Sequence, residues 1–223
     1  MAEKYLNLYG AIGGNRKKWQ TDAKITMVEL NQKIANIYIE QHPNDEVIIG
    51  DAMEYVKKHR NEFGFVWASP PCQKHSRMMK ATRHDVADFF DLQLYQLIIF
   101  LEHFYNGYWV VENVKPYYKP LIEPTAIIGR HYFWSNFPID ENFKAPEFKN
   151  FITAGTSKET DKLKQWLGIN YKGNIYYDGN HCPGQVLRNA VHPDLGLHIF
   201  NCFEKAKAGG QKINCGQLEL NFD

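Results

Sequence analysis

An α/β fold is predicted for this chain by three observations. Short apolar runs bounded by turn residues recur along it, a glycine-rich turn follows the first of them, and the clearest helical pattern lies between two of the later ones. Apolar residues make up 44% of the 223 and charged residues 23%, the balance of an ordinary globular protein. That length suits one domain with a full core and a small insert.

The first run, Tyr5 to Tyr9, reads as a strand and enters the turn Gly10-Ala11-Ile12-Gly13-Gly14-Asn15. Glycines at this place let the backbone approach a bound group closely, and a short helix expected next would offer its N-terminus to polar ligand groups. A strand follows at Lys24 to Val28, closed by Glu29. Asn31 to Glu40 then reads as a helix with Ile34, Ile37 and Tyr38 on one face. The next strand, Glu46-Val47-Ile48-Ile49, ends at Gly50-Asp51. An acid closing a strand of a nucleotide-type fold commonly accepts hydrogen bonds from ribose hydroxyls. Strand-end polarity is ordinary in any α/β protein, but Glu29 and Asp51 close two consecutive strands, and that order favours a nucleoside site.

The apolar run Phe63 to Ala68 is closed by Ser69-Pro70-Pro71-Cys72-Gln73. Two prolines end the strand and stiffen the turn. Cys72 is thereby held at the carboxyl end of a strand, where open α/β sheets place their ligand crevice. The polar segment Lys74 to Asp85 carries Lys74, His75, Arg77, Lys80 and Arg83. Its position directly after Cys72 makes it the candidate for phosphate contact and for a loop that closes over substrate. Ala87 to Phe104 is the clearest helix, its turns marked by Leu92, Tyr95, Gln96, Ile99, Phe100 and His103, with the aromatic stripe assigned to the core. Trp109 to Val114 is a second apolar strand and carries Glu112 and Asn113 into its own turn. Ala126 to Phe137 reads as a single aromatic strand with Arg130 and His131 inside it. Residues 136–187 are polar, aromatic and rich in turn formers, with Phe151 to Ser157 leading into a helix that ends at Trp166-Leu167-Gly168.

A formal net charge of +1 gives no global basic field. Arg16-Lys17-Lys18 and Lys57-Lys58-His59-Arg60 are assigned to solvated faces. The four cysteines, Cys72, Cys182, Cys202 and Cys215, form no CxxC pair, so neither a disulfide framework nor a zinc site is expected. His181, Cys182, His192 and His198 lack ligand-pair spacing, and no metal is assigned to them. No apolar run reaches the length of a bilayer span and no signal-peptide pattern opens the chain. A cytoplasmic protein with no membrane partner is expected.

Pro70-Pro71-Cys72-Gln73 followed by Glu112-Asn113-Val114 resembles the DNA (cytosine-5)-methyltransferase family in its small phage or bacterial form, for these are that family's two chemical motifs. The resemblance covers roughly residues 4–137 and 185–203. Its cofactor loop, usually Phe-Ala-Gly-x-Gly-Gly after Asp-Leu, reads here Tyr9-Gly10-Ala11-Ile12-Gly13-Gly14 after Asn7-Leu8, with Ala11 replacing the first loop glycine. Arg188-Asn189-Ala190-Val191 resembles the last motif, Gly-Asn-Ala/Ser-Val, with Arg188 replacing glycine. The resemblance implies a Rossmann-like S-adenosylmethionine-dependent methyltransferase fold with a very small target-recognition insert. It divides the chain into a catalytic and cofactor domain (1–135), a recognition segment (136–187), a return to the catalytic domain (188–203) and a tail (204–223).

The cofactor so implied is S-adenosyl-L-methionine, held by Tyr9, Gly10, Ala11, Gly13, Gly14, Glu29, Asp51, Ala52, Pro70, Asn189 and Val191. The implied catalytic residues are Cys72, Glu112 and Arg130, the last matched to one of two alternating arginines in a family strand. Gln73, Ser76, Arg77 and Asn113 are implied to contact substrate, which is a cytosine of double-stranded DNA, and Asn113 also to fix the neighbouring turn. A thiolate at Cys72 would attack C6 and push electron density to C5, while protonated Glu112 neutralises N3. A base inside a duplex is out of reach, so it must be flipped out. The short recognition segment implies a short or relaxed recognition sequence. Gln217-Leu218-Glu219-Leu220-Asn221-Phe222 resembles the peptide by which bacterial DNA-handling proteins dock on the sliding clamp, with Gln217, Leu220 and Phe222 as its anchors. Three readings stand beside this one: an RNA cytosine-5 methyltransferase, a catalytically inactive DNA-binding module docked on the clamp, and transfer of another group from a modified cofactor.

Overall fold

The computed structural model describes residues 3–72, 92–148, 157–173, 175–176 and 182–215. Its strands are β1 (Lys4–Leu8), β2 (Lys24–Glu29), β3 (Glu46–Ile49), β4 (Phe65–Ala68), β5 (Tyr108–Val114), β6 (Ala126–Ile128) and β7 (His131–Ser135). The helices are α1 (Gln32–Gln41), α2 (Ala52–His59), α3 (Gln93–Phe104), α4 (Ser157–Leu167), α5 (Gln185–Arg188) and α6 (Pro193–Gly209). The strands form one sheet in the order β3-β2-β1-β4-β5-β7-β6. Strands β1 to β5 run parallel, and β7 pairs antiparallel with both β5 and β6. From β1 the chain moves outward to β2 and β3, then returns to the other side of β1 as β4 and β5. The strand order therefore reverses between β1 and β4, and a ligand crevice is expected outside the carboxyl ends there.

Strands buried on both faces read as nearly continuous apolar runs, and here both faces are covered. Leu6, Leu8, Val66, Ala68, Trp109 and Val111 pack beneath α3 through Leu94, Leu97, Ile98 and Leu101. Tyr5, Phe65, Trp67, Val110 and Phe133 face α6, which contributes Leu195, Ile199, Phe200 and Phe203. Phe65 and Phe203 stack at 4.0 Å between ring centroids. A third cluster joins Ile34 and Ile37 of α1 to Leu163 and Leu167 of α4, Val186 and Leu187 of α5, and Ile12 of the first turn. Helix α4 thus packs against α1, α5 and the first turn.

Four sequence expectations are corrected. No helix follows the glycine turn: residues 15–23 run as turns. There Trp19 is buried, stacks on Phe200 at 4.8 Å and donates to the Gly196 carbonyl, while Arg16 makes two bonds to the Asp45 carboxylate. Those tertiary contacts override local helix preference. Ala126 to Phe137 is two strands, folded back at Gly129, whose φ of 59° needs the freedom of glycine. The buried face of α3 is Leu94, Tyr95, Leu97, Ile98 and Leu101, whereas Leu92 and Phe104 lie half exposed; residues 87–91 fall outside the described residues. Lastly, the packed body extends past residue 203. Helix α6 runs on to a left-handed cap at Gly210, and Ile213 and Cys215 donate backbone N–H groups to the Asn136 carbonyl and the Glu102 carboxylate.

Candidate active site

The carboxyl ends of β1 to β5 lie side by side. The ladder continues one step past each strand, through Gly10 N to Val28 O, Gly50 N to Glu29 O and Ser69 N to Leu8 O. Tyr9, Glu29, Asp51, the Pro70–Cys72 turn and Glu112 therefore line one edge of the sheet.

On the β1–β2–β3 side the backbone is held in a sparsely populated conformation. Tyr9 (φ 54°) and Ala11 (φ 46°) are left-handed although neither is glycine, and Gly13 has φ 79°. Such residues carry on the order of 1–3 kcal/mol of strain each and concentrate at ligand clamps. Ala11 thus holds a glycine-type conformation despite its side chain. The Glu29 carboxylate accepts from the Ala11 N–H at 3.2 Å and the Asn31 N–H at 3.0 Å, tying the turn to the end of β2. Burial raises its pKa, against the pull of these backbone donors. Asp51 is exposed and caps α2, accepting from Glu54 N with Oδ1 at 2.8 Å; Ala52 behind it is buried. Leu30, absent from the sequence reading, projects an apolar side chain that is 72% exposed beside these acids. A methyl group added at Gly14 would lie 2.3 Å from the Val191 carbonyl, so the last motif docks directly on the glycine turn. Val191 is buried there and Asn189 is exposed. Gly10 packs equally closely on Met27.

His42 lies beneath this turn, with its Nε2 buried against Gly13. Burial lowers its pKa to about 4, with Asp45 opposing and Arg16 and Lys17 assisting. The unfolded chain binds this proton near pH 6.5 and the folded chain does not until about pH 4, so stability falls as pH drops through that interval. The loss amounts to about 3 kcal/mol when complete. Acid melts of the wild type against His42→Leu are expected to diverge below pH 6, with the variant the flatter of the two.

On the β4–β5 side, the buried Asn113 amide donates to the Pro70 carbonyl at 3.0 Å, and its oxygen accepts from Val114 N at 2.9 Å. The Cys72 turn is thus clipped to β5 by the residue expected to touch substrate. Cys72 is half-buried. Burial and then the Glu112 charge push its thiol up to about 11, and the Arg130 guanidinium works in the opposite direction. Glu112 is 5% exposed and sits 2.6 Å from His131 Nδ1. Arg130 lies on the β6–β7 turn instead of inside a strand; its Nε donates to His131 Nε2 at 3.3 Å and its Nη2 to the Arg188 carbonyl at 3.1 Å. Arg188 in turn approaches Cys182 Sγ at 2.7 Å. Burial lowers the Arg130 pKa, while Glu112 and Cys72 favour its charged form.

His131 was not assigned to the site from sequence. Its signal is the antiparallel register: Glu112 pairs with Phe133, and a residue two positions along β7 shares that face. Gln73, Ser76 and Arg77 lie outside the described residues, as do Gln217, Leu220 and Phe222. Among the described residues no group of three or more His, Cys, Asp or Glu is placed to hold a metal, and no helix is long and apolar enough to cross a membrane.

No family model and no curated protein matches the chain. Among solved structures it is similar to the Entamoeba histolytica methyltransferase EhMeth, at 10% identity and a TM-score of 0.54 over 93% of this chain and 99% of that one. Spodoptera frugiperda DNMT2 aligns at 21% identity and a TM-score of 0.42, over 66% of this chain and 53% of its own. An S-adenosylmethionine-dependent methyltransferase from Agrobacterium tumefaciens aligns at 18% identity and a TM-score of 0.36, over 53% of this chain and 40% of its own. The chain therefore spans about half the length of the first of these latter two and less of the second. With its mostly parallel seven-stranded sheet covered on both faces, this chain has a Rossmann-like fold, the fold it shares with the Entamoeba methyltransferase.

Proposed function

We propose that this protein is a DNA cytosine-5 methyltransferase. One observation carries the reading: a half-buried thiol and a buried carboxyl stand at the carboxyl ends of adjacent parallel strands, close enough for the Glu112 charge to raise the Cys72 pKa, beside a strained turn and two strand-end acids suited to a nucleoside.

The residues present fit S-adenosylmethionine. Glu29 and Asp51 supply acceptors for hydroxyl and amine groups, Leu30 an apolar surface, and the Tyr9–Gly14 turn a close backbone approach beside Ala52, Pro70, Asn189 and Val191. Bound there, the cofactor supplies an electrophilic methyl group. Cytosine C5 is a poor nucleophile, so the chain's own residues must activate the ring. Cys72 sulfur bonds to C6 as the C5–C6 double bond opens toward C5. Glu112, buried against apolar strand residues, gives a proton or hydrogen bond to N3 as negative charge develops there. After C5 has been alkylated, the C5 proton passes to solvent, the C5–C6 double bond re-forms as the Cys72 thiolate leaves C6, and N3 returns its proton to Glu112. Because the thiol sits near 11 at rest, little thiolate exists at neutral pH, and Arg130 is the cation that favours it. Asn113 holds the Pro70–Cys72 turn at its distance from Glu112.

Double-stranded DNA of a bacterial cytoplasm, with its target base flipped out, is the substrate this reading implies. Clamp docking through Gln217, Leu220 and Phe222 is compatible with it. Incubation with methyl-labelled S-adenosylmethionine and either duplex DNA or RNA, followed by digestion to nucleosides, tests the proposal. Labelled 5-methyl-deoxycytidine from duplex DNA is the expected product. Label in RNA alone would transfer the same chemistry to the RNA reading, and label in neither would favour the inactive binding module, which the intact Cys72 and Glu112 oppose.

A further inference from the structure

We propose that His131 is a positioning residue that fixes which oxygen of Glu112 faces the substrate base; this rests on the proposed cytosine chemistry. The argument is one of donors and acceptors. Arg130 can only donate, so the 3.3 Å contact from its Nε makes His131 Nε2 an acceptor. A neutral imidazole with an acceptor at Nε2 carries its hydrogen on Nδ1. That hydrogen is 2.6 Å, heavy atom to heavy atom, from Glu112 Oε1, and the pair is buried, with side chains 9% and 7% exposed. Oε1 is therefore committed as an acceptor, and a proton carried by Glu112 resides on Oε2, the oxygen left for N3 of a base.

The charged groups around the ring agree with this assignment. Glu112 reaches it from β5 and Arg130 from the β6–β7 turn, and Arg130 is itself fastened to the Arg188 carbonyl from α5. Cys72, on the turn after β4, feels both Glu112 and Arg130. Held between a fastened guanidinium and a buried carboxyl, His131 keeps the acid in place.

Two isosteric replacements separate positioning from simple packing. Asn places an N–H close to where Nδ1 stands, whereas Gln places its amide near Nε2. His131→Asn is expected to keep kcat within about 5-fold of wild type, and His131→Gln to lose about 10- to 100-fold in kcat with KM for DNA little changed, the range of one hydrogen bond to a charged group. Equal losses in the two, or a loss expressed in KM alone, would overturn the proposal. Should either variant fail to fold, long-range proton–nitrogen NMR of the wild-type histidines reads the tautomer directly. An Nδ1–H tautomer for His131 supports the proposal and an Nε2–H tautomer overturns it. That reading needs no activity, so a failed tautomer and a wild type that methylates nothing remain distinguishable results.

Discussion

Replacing Cys72 by serine is expected to abolish turnover while leaving binding of duplex DNA and S-adenosylmethionine within about twofold. The loss should exceed about 1,000-fold, because serine is a far weaker nucleophile than a cysteine thiolate at neutral pH. The substitution changes one atom in a half-buried side chain at the end of a turn. That turn is held by the Asn113 amide on the Pro70 carbonyl, which the variant leaves in place. Titration calorimetry for the cofactor and gel shift for DNA check the binding, and the nucleoside assay checks turnover. Loss of binding alongside activity would undercut the assignment of Cys72 as nucleophile.

Changing Glu112 to glutamine should separate two consequences that normally travel together. Methyl transfer is expected to fall by about 100- to 10,000-fold, the usual worth of a general acid. The resting thiol should become more reactive. The Glu112 charge is the second cause of the raised Cys72 pKa, so its removal lowers that pKa and enlarges the thiolate fraction at any pH below it. Burial is the first cause and remains, so the thiol stays above its ordinary value. Iodoacetamide labelling of Cys72 should therefore follow a pH profile centred near 11 in the wild type and displaced to lower pH in the variant. Loss of Arg130 acts in the opposite sense, because its cation favours the thiolate. Slower labelling in Glu112→Gln would mean that the two groups do not interact as the geometry indicates.

Much of the parallel half of the fold is legible in the sequence because its strands are buried on both faces. Lys24 to Glu29 and Tyr108 to Val114 are short apolar runs with punctuated ends, and such runs locate strands. Helix α1 is equally legible, since Asn31 caps it and Ile34, Ile37 and Tyr38 mark one buried face. The failures have a common physical origin in contacts distant along the chain. Residues 15–23 carry no helix because Trp19 is drawn under α6 and Arg16 is anchored to Asp45. The β6–β7 hairpin was concealed within an unbroken aromatic run, where Gly129 alone marked the reversal.

The site divides in the same way. Cys72, Glu112, Glu29 and Asp51 could be placed toward the carboxyl ends of strands, because each closes or follows an apolar run and needs no knowledge of its neighbours. Asn113 was legible as a turn-fixing residue for a similar reason, and the hydrogen bond to Pro70 gives that role its geometry. His131 could not be read in this way. Its place beside Glu112 depends on a register between β5 and β7 that local sequence does not state. The left-handed conformation of Ala11 likewise follows from tertiary ties, its N–H being held by the Glu29 carboxylate.

The most direct test of the central claim is a covalent trap. Duplex DNA carrying 5-fluorocytosine is incubated with the protein and labelled S-adenosylmethionine, then resolved on a denaturing gel. Fluorine at C5 cannot leave as a proton does, so an enzyme that works through a C6 adduct stays attached to its substrate. A labelled protein–DNA band that appears with wild type and disappears with Cys72→Ser is the expected result. A wild type that transfers label to cytosine without ever forming that band, or forms it equally well without Cys72, would contradict the account.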